Sequence, residues 1–387
     1  MAYPIIQLKA GREASVGFRH PWIFSGALET VPDGLTAGDF VHIADRNGRI
    51  IATESYEGAA NIAVRVFDFS ETIIDEAWIS NALALAHSRR LLLGYGQDTD
   101  TTGYRFVFSE ADNLPGLVID RYADVLVLQV STVGMRTLLP IVIEACKNLF
   151  QPNAIVDKSG EVAEMLYGSV DGPVNFVEHG MKFAADVVGG QKTGFYLDQK
   201  DLRQHVRKYA NGKNVLNLFS YTGATSIAAL LGGAADVHNV DESEAALAQC
   251  AIHTEMNGIA AEKSTTEQAD VFSWLNDNKD PAYDMVILDP PALTKTKKEK
   301  EAAAKAYHFL NRAALRLVKN DGIFVTSSCS HYFTEDDLAF TLRRASVQAG
   351  VELDVLHVIR QAPDHPLSVY WPEGLYLKSF ICRVRRI

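Results

Sequence analysis

Cysteine is scarce in this chain: four in 387 residues, Cys146, Cys250, Cys329 and Cys382, with no C-x-x-C pair among them. No histidine cluster supplies ligand spacing either, so no metal site is expected. Thiols this far apart read as reduced cytosolic cysteines and not as a disulfide framework. Positive charge is also short. There are 48 Asp and Glu against 37 Lys and Arg, a net charge of −11. That excludes a surface coated in cations, but not a local basic channel for phosphates. No apolar run approaches the roughly 18 to 20 residues of a membrane span. The opening Met-Ala-Tyr-Pro-Ile-Ile-Gln-Leu-Lys has no basic start leading into an apolar stretch, so no signal peptide is read. A cytoplasmic protein with no membrane partner is the expectation.

What is present is ordinary globular composition, 47% hydrophobic and 22% charged, at a length that suits two or three domains at roughly 150 residues each. Residues 1 to about 68 read as all-β: short apolar stretches at Phe40 to Ile43, Ile50 to Thr53 and Ile62 to Phe67 are separated by glycine-bearing turn signals, as in a small barrel or sandwich. The spacing of apolar residues predicts a helix from Glu71 to Leu93, stopped by Gly94. Next comes a compact α+β stretch: a hairpin over Leu117 to Ser131, a helix from Met135 to Leu149, a strand at Ala154 to Asp157 and a second hairpin from Val174 to Ala185. From about Asp186 strands and helices alternate, the pattern of a parallel sheet covered on both faces. The expected boundaries are 1-70, 71-185 and 186-387.

Three segments could carry chemistry. Asn214-Val-Leu-Asn-Leu-Phe-Ser-Tyr-Thr-Gly-Ala-Thr-Ser226 is an apolar strand, a tight loop and a helix, with Gly223 allowing close backbone approach to a ligand. Asp241 ends the next strand 18 residues later and suits ribose hydroxyls. A nicotinamide dinucleotide would want G-x-G-x-x-G over its pyrophosphate. One glycine stands in the loop, so a ligand with ribose and no pyrophosphate, such as S-adenosylmethionine, fits better. Gly189-Gly-Gln-Lys-Thr-Gly194 looks like the tail of a phosphate loop, but Asp186 and Gln191 occupy its glycine positions, and nucleoside triphosphates are rejected. In Asp284-Met-Val-Ile-Leu-Asp-Pro-Pro-Ala292 an apolar strand delivers Asp289 to the carboxyl edge of the sheet, where ligands bind in open α/β folds. In Gly322-Ile-Phe-Val-Thr-Ser-Ser-Cys-Ser-His331 another strand ends at Cys329. A nucleophilic thiol there needs electropositive surroundings, to which His331 could contribute; a buried apolar cysteine is the plain alternative.

Together these residues resemble the bacterial 23S ribosomal RNA cytosine-5 methyltransferases that carry an N-terminal PUA domain. Lys9-Ala-Gly-Arg-Glu13 and Arg19-His-Pro-Trp-Ile-Phe-Ser-Gly26 look like the PUA opening, and Asn113-Leu-Pro-Gly-Leu-Val-Ile-Asp-Arg-Tyr122 like the central strand-strand-helix-strand-strand domain. Lys192-Thr-Gly-Phe-Tyr-Leu-Asp-Gln199, Phe219-Ser-Tyr-Thr-Gly223, Asp289-Pro-Pro291, Ser328-Cys-Ser330 and Pro372-Glu-Gly-Leu-Tyr-Leu-Lys378 complete the resemblance, in order, along nearly the whole chain. The chain departs at Ala292-Leu293, where the family often has Lys-Phe, and at Asp157-Lys-Ser-Gly-Glu161, which lacks a frequent arginine.

The resemblance implies a class I, Rossmann-like methyltransferase domain behind a PUA domain and a small α+β domain, with S-adenosylmethionine as methyl donor and Cys329 as nucleophile toward cytosine C6. Asp289, in its protonated form or through a relayed proton, would hydrogen-bond the base at N3. Asp198, Gln199, Phe219, Ser220, Tyr221, Gly223, Asp241, Glu242, Asp270 and Asp289 would line the cofactor site, Asp241 on the ribose and Asp270 on the adenine amino group. A simple helix cap before Val271-Phe272 is the plain alternative for Asp270. Ribosomal RNA is the implied partner, a homodimer is allowed, and Lys9, Arg12, Arg19, Lys295 and Lys297 are candidates for RNA phosphates. Six Lys or Arg face seven Asp or Glu over residues 1 to 65, so RNA binding there needs a local stripe. Two rival readings stand: an amino-group methyltransferase acting on adenine or guanine, and a non-catalytic RNA-binding protein with a retained methyltransferase fold. Ala292 cannot stack a base as the aromatic residue of amino-group enzymes does, which favours cytosine C5.

Overall fold

The computed structural model describes residues 3–294 and 296–387. Lys295, one of the expected phosphate contacts, lies outside them. The chain folds into two compact units, one formed by Met1–Gly180, Ala184–Leu197 and Pro363–Gly374, the other by Met181–Phe183, Asp198–Ala362 and Leu375–Ile387.

The first unit holds two sheets with separate cores. Six strands between Ile5 and Asp68 form one sheet, interrupted by a short helix at Ala14–Gly17, with Ile6, Leu8, Val41, Ile43, Val64 and Val66 buried between them. The following helix spans Glu76–Leu92, starting later than its apolar spacing suggests. Asp75 sets the start: its side chain accepts the Trp78 N–H and caps the first turn. The second sheet runs in the order Glu164–Gly168, Ala154–Asp157, Val125–Val130, Leu117–Tyr122, Gly103–Phe108, and the helix Val133–Phe150 packs its Leu138 and Val142 into the same core as Ile119 and Leu128. The hairpin expected here pairs Leu117 with Val130 through Tyr122 with Val125, and turns at Ala123, whose φ is 52°. The fourth strand of the expected pattern differs. Glu164–Gly168 takes that place, while Val174–Glu178 and Met181–Ala185 are strands outside this sheet. Glu164–Gly168 is a solvent-facing edge strand without a buried face, so no apolar alternation marks it in the sequence.

In the second unit seven strands are labelled in chain order: β1 (Asn214–Leu218), β2 (Asp236–Asp241), β3 (Ser264–Gln268), β4 (Tyr283–Leu288), β5 (Val318–Ser328), β6 (Val351–Arg360) and β7 (Lys378–Arg386). The helices are α1 (Lys200–Tyr209), α2 (Ala224–Leu231), α3 (Glu244–Met256), α4 (Val271–Asp277), α5 (Lys300–Leu317) and α6 (Glu335–Ala349). The sheet order is β3-β2-β1-β4-β5-β7-β6. Its central strands are apolar on both faces because both are covered. Leu216, Leu218, Val286, Leu288 and Phe324 face a core with α4, α5 and α6. Their neighbours Val215, Met285, Ile287, Ile323 and Val325 face a core with α1 and α2. A buried polar ladder crosses this second face: Asn217 donates to Ser226 Oγ, which donates to Asn239, which donates to the Thr265 carbonyl.

A wholly parallel sheet is expected from the alternation of elements, and the last strand departs from it. β7 pairs antiparallel with both β5 and β6. A parallel return needs a crossover, usually a helix; between Arg360 and Lys378 there is only a 3-10 turn at Pro372–Gly374. The reversal has a consequence for chemistry. Lys378, the first residue of β7, pairs in register with Ser328, the last of β5, and so joins the edge where β1, β2, β4 and β5 end. No described helix is long and apolar enough to cross a membrane.

Candidate active site

On one half of this edge the chain is shaped by backbone. After β1 the loop takes positive φ at Phe219 (59°), Tyr221 (47°) and Gly223 (72°), a conformation that costs non-glycine residues on the order of 1–3 kcal/mol each. Fixed partners hold it. The Tyr221 N–H donates to Asp241 Oδ2 (2.8 Å), Ser220 N–H to the Val240 carbonyl (3.2 Å), and the His253 ring bonds the Thr222 carbonyl (2.9 Å). The other Asp241 oxygen accepts the Ser243 N–H (2.9 Å). Each oxygen therefore accepts one backbone donor, and a carboxylate oxygen can accept a second. A Cβ on Gly223 would stand 2.2 Å from Cys250 Sγ, so the loop lies directly on α3. Ser220 Oγ is buried with no hydrogen-bond partner.

These residues fit S-adenosylmethionine: a glycine-bearing cradle open to close backbone approach, a spare hydroxyl, and a carboxylate with unused acceptor capacity at the end of β2. Asp198 and Gln199 are buried on the approach to α1; the Tyr376 hydroxyl donates to Asp198 (2.7 Å), and Gln199 Nε2 donates to Asp289 Oδ2 (2.6 Å). Glu242 is exposed beyond β2, and its carbonyl accepts from Gln268. Asp270 is exposed and caps α4, its Oδ1 accepting both the N–H and the hydroxyl of Ser273 at 2.8 Å, so the cap reading is the one with partners in place.

The other half, at the ends of β4 and β5, is built from side chains. Asp289 is half-buried against Gln199. Cys329 is partly exposed, whereas Cys146, Cys250 and Cys382 are buried and burial pushes their thiols up to about 12, 11 and 12. Both neighbours of Cys329 are fastened to one hydroxyl: Ser328 Oγ donates to the Tyr307 hydroxyl (2.9 Å), which also bonds Ser330 Oγ (3.1 Å). Tyr307 belongs to the inward stripe of α5, with Ala303, Leu310 and Ala314. From the β7 side the Lys378 ammonium donates to the carbonyls of Ser330 (2.5 Å) and Tyr376 (3.0 Å). His331 is exposed, its ring against Tyr332.

Comparisons with known proteins assign the family. Residues 154–344 match the family described as S-adenosylmethionine-dependent methyltransferase, and residues 6–69 a PUA-like domain. The ribosomal RNA large subunit methyltransferase I of Klebsiella pneumoniae is 36% identical over 99% of this chain and 98% of its own length. That of an Enterobacter species is 38% identical over 97% and 98%. The chain belongs to the ribosomal RNA large subunit methyltransferase I family. Two solved structures share the fold at 21% identity. One is a Streptococcus mutans protein ascribed to the SAM-dependent methyltransferases, with a TM-score of 0.85 over 98% of this chain and 100% of its own. The other is a methyltransferase complexed with SAH, with a TM-score of 0.86 over 99% and 100%.

In this family member the described residues expected at RNA stand on the surface. Lys9, Arg12, Arg19 and Lys297 are all exposed. Lys9 bonds the Gly26 carbonyl, and Lys297 opens the short turn before α5. Arg19 stands out: its guanidinium lies 5.0 Å from the Phe69 ring centre and 5.8 Å from that of Tyr370, beside a cavity of about 500 Å³ also lined by Arg89, Asn113 and Trp371. Two residues escaped the sequence reading. Lys378 stood inside a recognised motif with no role attached, and Tyr307 looked like any inward aromatic of an amphipathic helix. The one signal for Tyr307 is that a buried phenol needs hydrogen-bond partners.

Proposed function

We propose that this chain methylates cytosine C5 in ribosomal RNA, that of the large subunit (23S), and that Cys329 forms a covalent adduct at C6 during the reaction. The observation that carries this reading is the placement of Cys329: of the four cysteines it alone is not buried, and it lies in a hydroxyl-braced loop at the strand end next to that of Asp289. The cofactor supplies an electrophilic methyl group on sulfur. Neutral cytosine is a weak nucleophile at C5; addition of the Cys329 thiolate to C6 places electron density at C5, which then takes the methyl. Asp289, oriented by Gln199 and carrying a proton, donates to N3 of the base and holds the adduct. The C5 proton then leaves to solvent and the cysteine is expelled. Asp241 takes the ribose, and Phe219, Tyr221 and Gly223 surround the methionine end.

RNA contact through Arg19 is part of the same reading. The charged residues lining its cavity are Arg19, Arg89 and Glu110, and Glu110 is paired with Arg65, so the lining is locally positive on an acidic chain. Guanidinium and exposed aromatic faces are what unstacked bases and phosphates take. Four apolar cores support a division into 1-70, 71-185 and 186-387: one within residues 6–66, one within 67–155, and one on each face of the sheet beyond residue 200. A cytoplasmic location belongs to the same reading, and light scattering of the purified protein distinguishes a monomer from a homodimer.

The deciding experiment replaces Cys329 with Ala and follows labelled methyl transfer to 23S RNA from cells lacking the gene. Incorporation should fall by at least on the order of 10³-fold, and RNA carrying 5-fluorocytosine should trap the wild-type protein and not the variant. Undiminished transfer would remove the thiol and favour amino-group methylation.

A further inference from the structure

We propose that Lys378 is the positioning residue that keeps Cys329 in its thiolate form, through the charge of a buried ammonium tied to the Cys329 loop. An ammonium has three donors. Two of those on Lys378 are committed, to the carbonyls of Ser330 and Tyr376. The Ser330 carbonyl lies one residue past Cys329, so the bond that orients the lysine also ties it to the loop of the thiol. The side chain is buried. Burial lowers the Lys378 pKa to about 8 from 10.5, and of the groups that resist this fall Cys329 acts most strongly, ahead of Asp337 and Glu335. Those two carboxylates are already engaged, Asp337 with Lys300 and Glu335 with Arg360. Arg360 pairs in register with Lys378 across β6; Tyr307 reaches the same loop through Ser328 and Ser330. Asp337 and Glu335 thus answer to other cations, while Cys329 acts on Lys378 more strongly than either.

The proton balance is simple. The Cys329 S–H proton goes to solvent, Lys378 stays an ammonium, and the sulfur lone pair is left for attack on C6. A thiolate beside a cation ionises below the ordinary thiol value of about 8.5. The sequence offered His331 as a source of positive charge; it is exposed at the far side of Ser330, and the lysine replaces it in this role.

This inference rests on Cys329 as the nucleophile, yet its test needs neither RNA nor turnover. The rate of Cys329 alkylation by iodoacetamide is followed against pH on the full chain, with the modified residue identified by peptide mass. The other three thiols are buried and slow. The wild type should give a midpoint at least one unit below 8.5. Lys378→Met should move it up by one unit or more, cutting the rate at pH 7 about tenfold, and Lys378→Arg should restore most of the difference. Binding of S-adenosylmethionine by each variant checks the fold. Equal midpoints in wild type and Lys378→Met overturn the proposal, as does a wild-type midpoint at or above 8.5, which requires no variant to fold. Loss of the covalent reading shows separately, as full methyl transfer by Cys329→Ala.

Discussion

At the ends of β1 and β2 a bend with three positive φ values, at Phe219, Tyr221 and Gly223, is held by main-chain donors on Asp241 and the Val240 carbonyl. A few ångströms of sheet further, at the ends of β4 and β5, the main chain is unexceptional and order comes from side chains brought from elsewhere: Tyr307 from α5, Lys378 from β7, Gln199 from before α1. A backbone cradle suits an invariant ligand, because its shape is fixed once by local sterics. Side-chain bracing suits a reacting group, since each hydroxyl and ammonium can adjust charge at a sulfur or a base edge without altering the fold. The contrast predicts that the first half breaks by steric substitution and the second by deletion of single polar atoms.

Among the variants that probe this contrast, Gly223→Ala should have the largest effect. Its Cβ would meet Cys250 Sγ at 2.2 Å and Cys250 Cβ at 3.0 Å, on a backbone at φ 72°, where a side chain costs about 1–2 kcal/mol before any clash. Affinity for S-adenosylmethionine should drop about 100-fold by calorimetry, nearly 3 kcal/mol. Adding Cys250→Ala removes the sulfur and should recover part of that loss, leaving the contribution of φ. Unchanged affinity in the single variant would show that the loop does not shape the pocket.

The same contrast governs what could be read from the sequence. Short contiguous motifs carry the backbone half: Phe219 to Gly223 in one loop and Asp241 at the next strand end are both visible as residue types at a spacing. The alternation of strands and helices gave the sheet and its carboxyl edge, but not the reversal of β7, because reversal depends on the absence of a crossover helix over a stretch with no periodicity at all. The second half was half visible. Asp289 and Cys329 sit at the ends of apolar strands, whereas Tyr307 and Lys378 join Cys329 only through the tertiary fold, 22 and 49 residues away in sequence. Asp270 shows the reverse case, a residue type that fits two roles with nothing local to choose between them.

Tyr307→Phe tests the side-chain half at the cost of one oxygen. Ser328 and Ser330 lose their shared partner, and each buried hydroxyl left unsatisfied costs about 1 kcal/mol. Burial raises the Tyr307 pKa, so its phenol stays protonated through the working pH range and acts as a hydrogen-bond partner only. The expected result is a fall of about tenfold in kcat, with S-adenosylmethionine affinity within a factor of two of wild type. A parallel loss of cofactor affinity would mean that the two halves are not separate.

The smallest effect should come from Asp270, whose carboxylate is exposed and already engaged by Ser273. Replacing an N-cap carboxylate by Ala costs about 1 kcal/mol, while Asn caps as well as Asp. Asp270→Ala should therefore lower thermal stability slightly and S-adenosylmethionine affinity two- to threefold, and Asp270→Asn should do neither. Equal loss of affinity in both would assign the carboxylate directly to the adenine amino group. The sign with pH follows from the same bonds. The Ser273 hydroxyl and N–H lower the carboxyl pKa below its ordinary 3.8, so the folded chain holds fewer protons than the unfolded one in that range. The cap's contribution is complete above 3.8 and fades as the pH drops through the lowered value, and Asp270→Asn should remove that acid dependence while leaving stability at neutral pH in place.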